Sequence, residues 1–129
     1  MKNEIGVWID HRKAVIVSII GDLEETQTLE SEMEKHVRFG GEAQKDSEED
    51  QRDRKFTMHL NQYYDEVITF IKDANSILIM GPGEAKGELR KRFEKDSHVG
   101  KIIDIETVDK LTHQQISAKV RAYFSKMDH

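Results

Sequence analysis

The stretch SILIMGPGEAKGELRKRFEK, residues 76–95, decides the fold. Residues 76–80 are a short apolar run of the size of one buried strand, and Gly81-Pro82-Gly83 stops it abruptly. Beyond the glycines, Ala85, Leu89 and Phe93 recur at four-residue steps, the narrow apolar stripe of a helix. A strand, a tight turn and a helix in that order are the opening of a crossover connection, which demands a parallel partner strand.

Working forward, KIIDIETV (101–108) supplies that strand, and THQQISAKVRAYFSKM (112–127) closes as a helix behind a Thr112 cap, with Ile116, Val120 and Phe124 on one face. Working backward, Phe56, Leu60, Tyr63, Tyr64, Val67, Ile68 and Ile71 recur at three- and four-residue steps and define one buried stripe of a long helix starting near Gln51. Acidic residues before that start suit the helix dipole. Upstream, IGVWID (5–10) and AVIVSII (14–20) are strand-like and are joined by a polar turn. After Gly21-Asp22, Leu23, Glu25, Gln27 and Leu29 alternate with Glu24, Thr26, Thr28 and Glu30, which suits a partly solvated edge strand.

The expected order is β-β-β-α-β-α-β-α, an α/β domain with a mixed five-stranded sheet flanked by helices. The first three strands pair as antiparallel hairpins, and the later ones in parallel through right-handed crossovers. The ribonuclease H type of fold shares this order. With 129 residues the chain is one domain, 1–129, with a single core and no internal repeat.

Hydrophobic residues make up 36% and charged residues 35%, enough apolar material to fold beneath a densely charged surface. Cysteine is absent, so there is neither a disulfide framework nor a thiolate metal site, which fits a cytoplasmic address. The N-terminal apolar stretch is broken by Asp10 and is too short for a signal segment or a membrane span. A net charge of −5 opposes non-specific coating of nucleic acid, and no DNA partner is expected.

Residues 31–50 are poor in apolar groups and carry the acidic cluster DSEED (46–50), so they read as a mobile loop. Inside it lies HVRFGGEAQKD (36–46) with the paired glycines Gly40 and Gly41. A two-metal nuclease needs converging carboxylates at strand ends. Asp10 stands at such an end, but the fourth strand ends in glycine and proline, and Asp10 reads instead as a turn residue accepting backbone N–H bonds. The six histidines, His11, His36, His59, His98, His113 and His129, include no i, i+4 pair for zinc. The serines lack a nucleophile-elbow context. GPGEAK (81–86) could cradle a phosphate at a helix N-terminus with Lys86, but it lacks the P-loop spacing and reads as a tight strand-to-helix turn. Lys86, Arg90, Lys91, Arg92 and Lys95 cluster on the second helix among Glu84, Glu88 and Glu94, a solvated face or an RNA- or protein-docking patch, with Glu88 and Arg92 spaced to pair. No metal or cofactor is expected.

Together these segments resemble the middle domain of the eukaryotic and archaeal class-one peptide-chain release factor and of its relative Pelota. GVWIDHRKAVIVSI (6–19) is similar to its opening strands, HVRFGGEAQKD to its Arg-Gly-Gly-Gln loop, RDRKFTMHLNQYYDEVITFI (52–71) to the following helix, and ILIMGPGEAKGELRKRF (77–93) to its strand, glycine turn and Lys-bearing helix. The resemblance covers almost the whole chain and is greatest to small bacterial and archaeal proteins carrying this domain alone. It implies a translational-machinery architecture, a cytoplasmic location, and the ribosome, tRNA or a translation-factor protein as partner.

In release factors the loop tip helps place water against the peptidyl-tRNA ester. Carried over, Gly40 and Gly41 match, but Glu42 replaces the glutamine, and an ionised carboxylate accepts hydrogen bonds without donating them. Pelota keeps the fold without the hydrolytic tripeptide. The resemblance therefore implies a non-catalytic, ribosome-associated domain of translation or ribosome rescue, with Gly40, Gly41 and Glu42 at the loop tip and Arg38, Lys86, Arg90 and Lys91 as candidate RNA or partner contacts. The alternatives are a peptidyl-tRNA ester hydrolase using Glu42, or a protein-interaction module working through the strand edge or the loop.

Overall fold

The structure is a computed structural model and describes residues 3–31, 46–95 and 102–127. Its elements are β1 (Asn3–Ile9), β2 (Lys13–Ile20), β3 (Leu23–Glu30), α1 (Asp46–Ile71), β4 (Ser76–Gly81), α2 (Ala85–Lys95), β5 (Ile102–Thr107) and α3 (His113–Met127). This is the α/β order expected from the sequence. The strands form one five-stranded sheet in the order β3-β2-β1-β4-β5. β1 pairs antiparallel with β2 and β2 with β3, whereas β1 pairs in parallel with β4 and β4 with β5. The sheet is mixed, and β1 is the seam between its two halves.

Alternation along the strands divides the core into two layers. Ile5, Val7, Ile9, Ala14, Ile16, Ile77 and Ile79 point to one side, where Leu60 to Ile71 of α1 and Ala85, Leu89 and Phe93 of α2 cover them. Trp8, Val15, Val17, Leu78 and Met80 point to the other side, beneath Ile116, Val120 and Phe124 of α3. Burial of each large apolar side chain contributes about 1.5–3 kcal/mol, so both layers are needed to hold the sheet. The cap expected on α3 is a reciprocal capping box. Thr112 Oγ1 accepts from Gln115 N at 3.1 Å, and Gln115 Oε1 accepts from Thr112 N at 2.9 Å.

The structure departs from the sequence reading in α1. The helix begins at Asp46, five residues before Gln51, so the DSEED cluster belongs to the helix and not to a loop. Acidic residues favour the first turn of a helix through its dipole, which outweighs their lack of apolar content. Phe56, expected on the buried stripe, is 38% exposed, because the described sheet ends below it. The remainder of the expected loop, residues 32–45, lies outside the described residues.

The 26 residues of α1 span about 39 Å, whereas eight-residue β2 and β3 span about 27 Å. Tyr63 reaches Asp10 at the carboxyl end of β1, with its hydroxyl donating to the Asp10 carbonyl at 3.0 Å. The turns of α1 before Leu60 therefore project past that edge of the sheet. No helix among the described residues is long and apolar enough to cross a membrane.

Two glycines set the closest approaches. A Cβ on Gly6 would lie 2.2 Å from Val120 Cγ2, so α3 rests directly on β1. A Cβ on Gly81 would lie 2.2 Å from the Ile9 carbonyl oxygen. Gly6→Ala is expected to destabilise the domain by about 1–3 kcal/mol through overpacking. In urea unfolding, Gly6→Ala combined with Val120→Ala should cost less than the sum of the two single changes, because the truncated valine vacates the space. Additivity would place the clash elsewhere.

Candidate functional site at the carboxyl edge of the sheet

The β1–β2 turn is set by its first residue. Asp10 Oδ1 accepts from Arg12 N and Lys13 N, both at 2.8 Å, and Asp10 N donates to Lys13 O at 3.0 Å. That is the turn role expected for Asp10. The turn presents His11 outward, where its Nε2 lies 3.1 Å from Glu88 Oε1 of α2. The same oxygen accepts from the Tyr64 hydroxyl of α1 at 2.5 Å. Glu88 therefore ties the turn, α1 and α2 at one point.

The path toward residues 32–45 starts from the same place. Ser31, just after β3, donates its hydroxyl to the His11 carbonyl at 2.6 Å and its N–H to the Arg12 carbonyl at 2.8 Å. Ser31 precedes this segment and Tyr63 lies in the helix that follows it, and both are hydrogen-bonded to residues 10–12.

Burial explains the electrostatics of the knot. It pushes the Tyr63 hydroxyl far above its usual range, helped by the nearby Asp10 charge, and it pushes up Tyr64, helped by the hydrogen bond to Glu88. Both tyrosines are thus held as neutral donors. Beside them, Arg92 grips Asp65 with two hydrogen bonds, at 2.6 and 2.9 Å, and this bonding draws the Asp65 carboxyl down. Arg92 bonds Asp65 of α1, and Glu88 meets the His11–Tyr64 pair, contacts that their spacing along α2 does not announce.

Lys86, Arg90 and Lys91 all lie on α2, the helix that leaves this edge. Lys86 Nζ donates to the Gly83 carbonyl, which closes the strand-to-helix turn and makes GPGEAK the tight connection expected. Arg90 pairs with Glu94 at 2.9 Å. Lys91 has no ion-pair partner among the described residues, and it borders a groove of about 450 Å³ whose lining includes Gly83, Lys86, Glu88 and Ile105. Arg38, Gly40, Gly41 and Glu42 lie outside the described residues.

Sequence reasoning misses the knot itself. It considers His11 only as a metal ligand, and Tyr63 and Tyr64 only as core. Two consecutive tyrosines on a buried stripe carry the signal, since buried hydroxyls require partners. The identity of the Tyr64 partner depends on a helix 24 residues away in sequence.

Comparison with known proteins places the fold. No protein-family model matches the chain, and no curated protein matches it in sequence. Among solved structures, the chain is similar to the Thermoplasma acidophilum Pelota protein, with a TM-score of 0.61 and 16% identity over 95% of this chain and 31% of that one. The Archaeoglobus fulgidus Pelota gives a TM-score of 0.54 and 13% identity over 97% of this chain and 36% of that one. An archaeal translation termination factor gives 0.52 and 13% over 98% and 40%. The chain thus spans 31–40% of the length of these proteins, and at such identities the likeness is one of fold.

The two buried tyrosines make stability fall in alkali. Their folded-state pKa lies above the unfolded value of 10.0, so their contribution is complete below about pH 10 and is lost as pH rises through and beyond it. Urea unfolding between about pH 8 and about pH 11 should show this decline, and Tyr63→Phe with Tyr64→Phe should flatten most of it. Tyr123, pushed up to about 12 by burial and its bond to Asp104, accounts for the slope that persists. An unchanged slope in the double variant would refute the assignment.

Proposed function

We propose that this domain acts in translation or ribosome rescue as a non-catalytic docking module, with the ribosome or a tRNA-bearing translation complex as its partner and the cytoplasm as its place of work. The observation that carries the reading is the fold likeness to Pelota over 95% of the chain, joined to the placing of Ser31 and α1 at one sheet edge. Segment 32–45, with Gly40, Gly41 and Glu42, leaves from that edge. The overhang of α1 supports a role in which the segment meets its partner beyond the body of the domain.

Lys86, Arg90 and Lys91 supply cationic groups on α2, and Arg38 adds another from the segment. Groups of this kind act on phosphates and position the domain without reading bases. Glu42 accepts hydrogen bonds where a release factor's glutamine also donates them, and this supports docking without ester hydrolysis. The hydrolase reading, with Glu42 as the acting group, is tested beside it.

Sedimentation through a sucrose gradient at moderate salt should carry the tagged protein with ribosomes or a subunit. Deletion of residues 32–45 should release it. Lys86→Glu with Lys91→Glu should weaken it and lower the salt dependence by roughly one counterion for each phosphate that is no longer neutralised. Migration wholly with free protein would reject the docking reading. In a peptidyl-tRNA release assay the wild type should be inert; release by the wild type that disappears in Gly41→Ala would transfer the assignment to the hydrolase.

A further inference from the structure

β3 is an edge strand that nothing among the described residues covers on its outer side. Its eight residues pair with β2 without a bulge, from Lys13↔Glu30 to Ile20↔Leu23. Of them, only Leu29 is partly buried, and Leu23 is 72% exposed. Proteins ordinarily guard such edges with charged side chains, above all lysine, or with proline, a bulge or a short strand. β3 has no lysine, proline or bulge, and its only guards of this kind are the glutamates Glu24, Glu25 and Glu30.

The direction of its free backbone groups follows from the pairing. Ser31 N donates to the Arg12 carbonyl, which makes that pair a hydrogen-bonded one, and the two-residue turn at Gly21-Asp22 makes Ile20 and Leu23 another. By alternation Leu23, Glu25, Gln27 and Leu29 spend their backbone groups on β2. Glu24, Thr26, Thr28 and Glu30 turn theirs outward, an open ladder for one more strand.

The charge of the strip states what could sit there. From Ala14 to Glu30 the chain has no lysine or arginine, while Asp22, Glu24, Glu25 and Glu30 are acidic. Arg121 answers Glu24 at 2.7 Å, but Asp22, Glu25 and Glu30 have no ion-pair partner among the described residues. Such a strip repels nucleic-acid phosphates and acidic proteins alike. On the α1 side, Leu23 and Leu29 of β3 are joined by Ile20, 40% exposed. Phe70, also 40% exposed, lies on the flank of α1 turned away from α2, because Asp65, which faces α2, stands five residues and about 140° from it.

We propose that β3 is an acceptor edge for an extended, lysine- or arginine-rich segment of a partner protein, which joins the sheet as an additional strand. Backbone hydrogen bonds to Glu24, Thr26, Thr28 and Glu30 supply the affinity, as in strand addition generally. Apolar side chains of the segment lie beside Leu23 and Leu29, and its cations answer Asp22, Glu25 and Glu30. This surface is separate from the α2 edge, so the inference does not rest on the translational role.

A fluorescein-labelled peptide alternating valine with lysine serves as the probe, read by anisotropy with purified protein. Saturable binding is expected, with protection from hydrogen exchange at the amides of Glu24, Thr26, Thr28 and Glu30. Thr26→Pro removes an outward N–H and leaves the β2 ladder intact, since proline is tolerated on the open side of an edge strand. It should weaken binding by about tenfold or more while the melting temperature changes little, and Glu25→Lys with Glu30→Lys should weaken it similarly. Equal binding of a valine–glutamate peptide, equal binding by a Thr26→Pro protein that remains folded, or absence of protection at those four amides in the wild type would each overturn the proposal. So would saturable binding of a short RNA at this edge.

Discussion

β1 must satisfy two kinds of neighbour at once. Along one edge it runs antiparallel to β2, along the other parallel to β4, and both faces are sealed, one by α1 and α2, the other by α3. Gly6 in its middle lets α3 approach until a single added carbon would meet Val120. A strand enclosed in this way has no freedom of register, because a slip of one residue would exchange its two apolar faces and break both ladders. The hairpin half and the crossover half of the sheet are aligned only through it.

The consequence appears at the carboxyl end of β1. Chain direction brings the ends of β1, β3 and β4 to one edge of the sheet, and the connections that follow them must all leave from there. Asp10 closes the first connection, Ser31 is tied to it, and the Tyr63–Tyr64 pair and Glu88 arrive from α1 and α2. Open α/β sheets commonly concentrate function at such an edge, since loops held by a rigid scaffold can vary without disturbing the core. Here the scaffold includes a hydrogen-bonded knot centred on Glu88, whose side chain is 41% exposed.

Charge is distributed along the sheet as unevenly as chain direction. The β3 flank is acidic, and α2, which packs over β1 and β4, is rich in lysine and arginine. A net charge of −5 hides this separation. On α2 much of that charge is paired within the domain, Arg90 with Glu94 and Arg92 with Asp65.

Periodicity alone determined most of the framework. Runs of alternating or continuous apolar residues located all five strands, and the four-residue steps of Ala85, Leu89, Phe93 and of Ile116, Val120, Phe124 located two helices, because burial of one face is what makes such patterns fold. Even the turn role of Asp10 and the Thr112 cap were legible, since both use local hydrogen bonds. The start of α1 and the exposure of Phe56 were not, because a helix that outruns its sheet keeps its period after the burial stops. Nor were the partners of Tyr64, Glu88 and Arg92. Those are chosen by which side chains arrive at one point after the chain has crossed the sheet, and a single carboxylate oxygen reached from two other elements leaves no mark at any fixed spacing in the sequence.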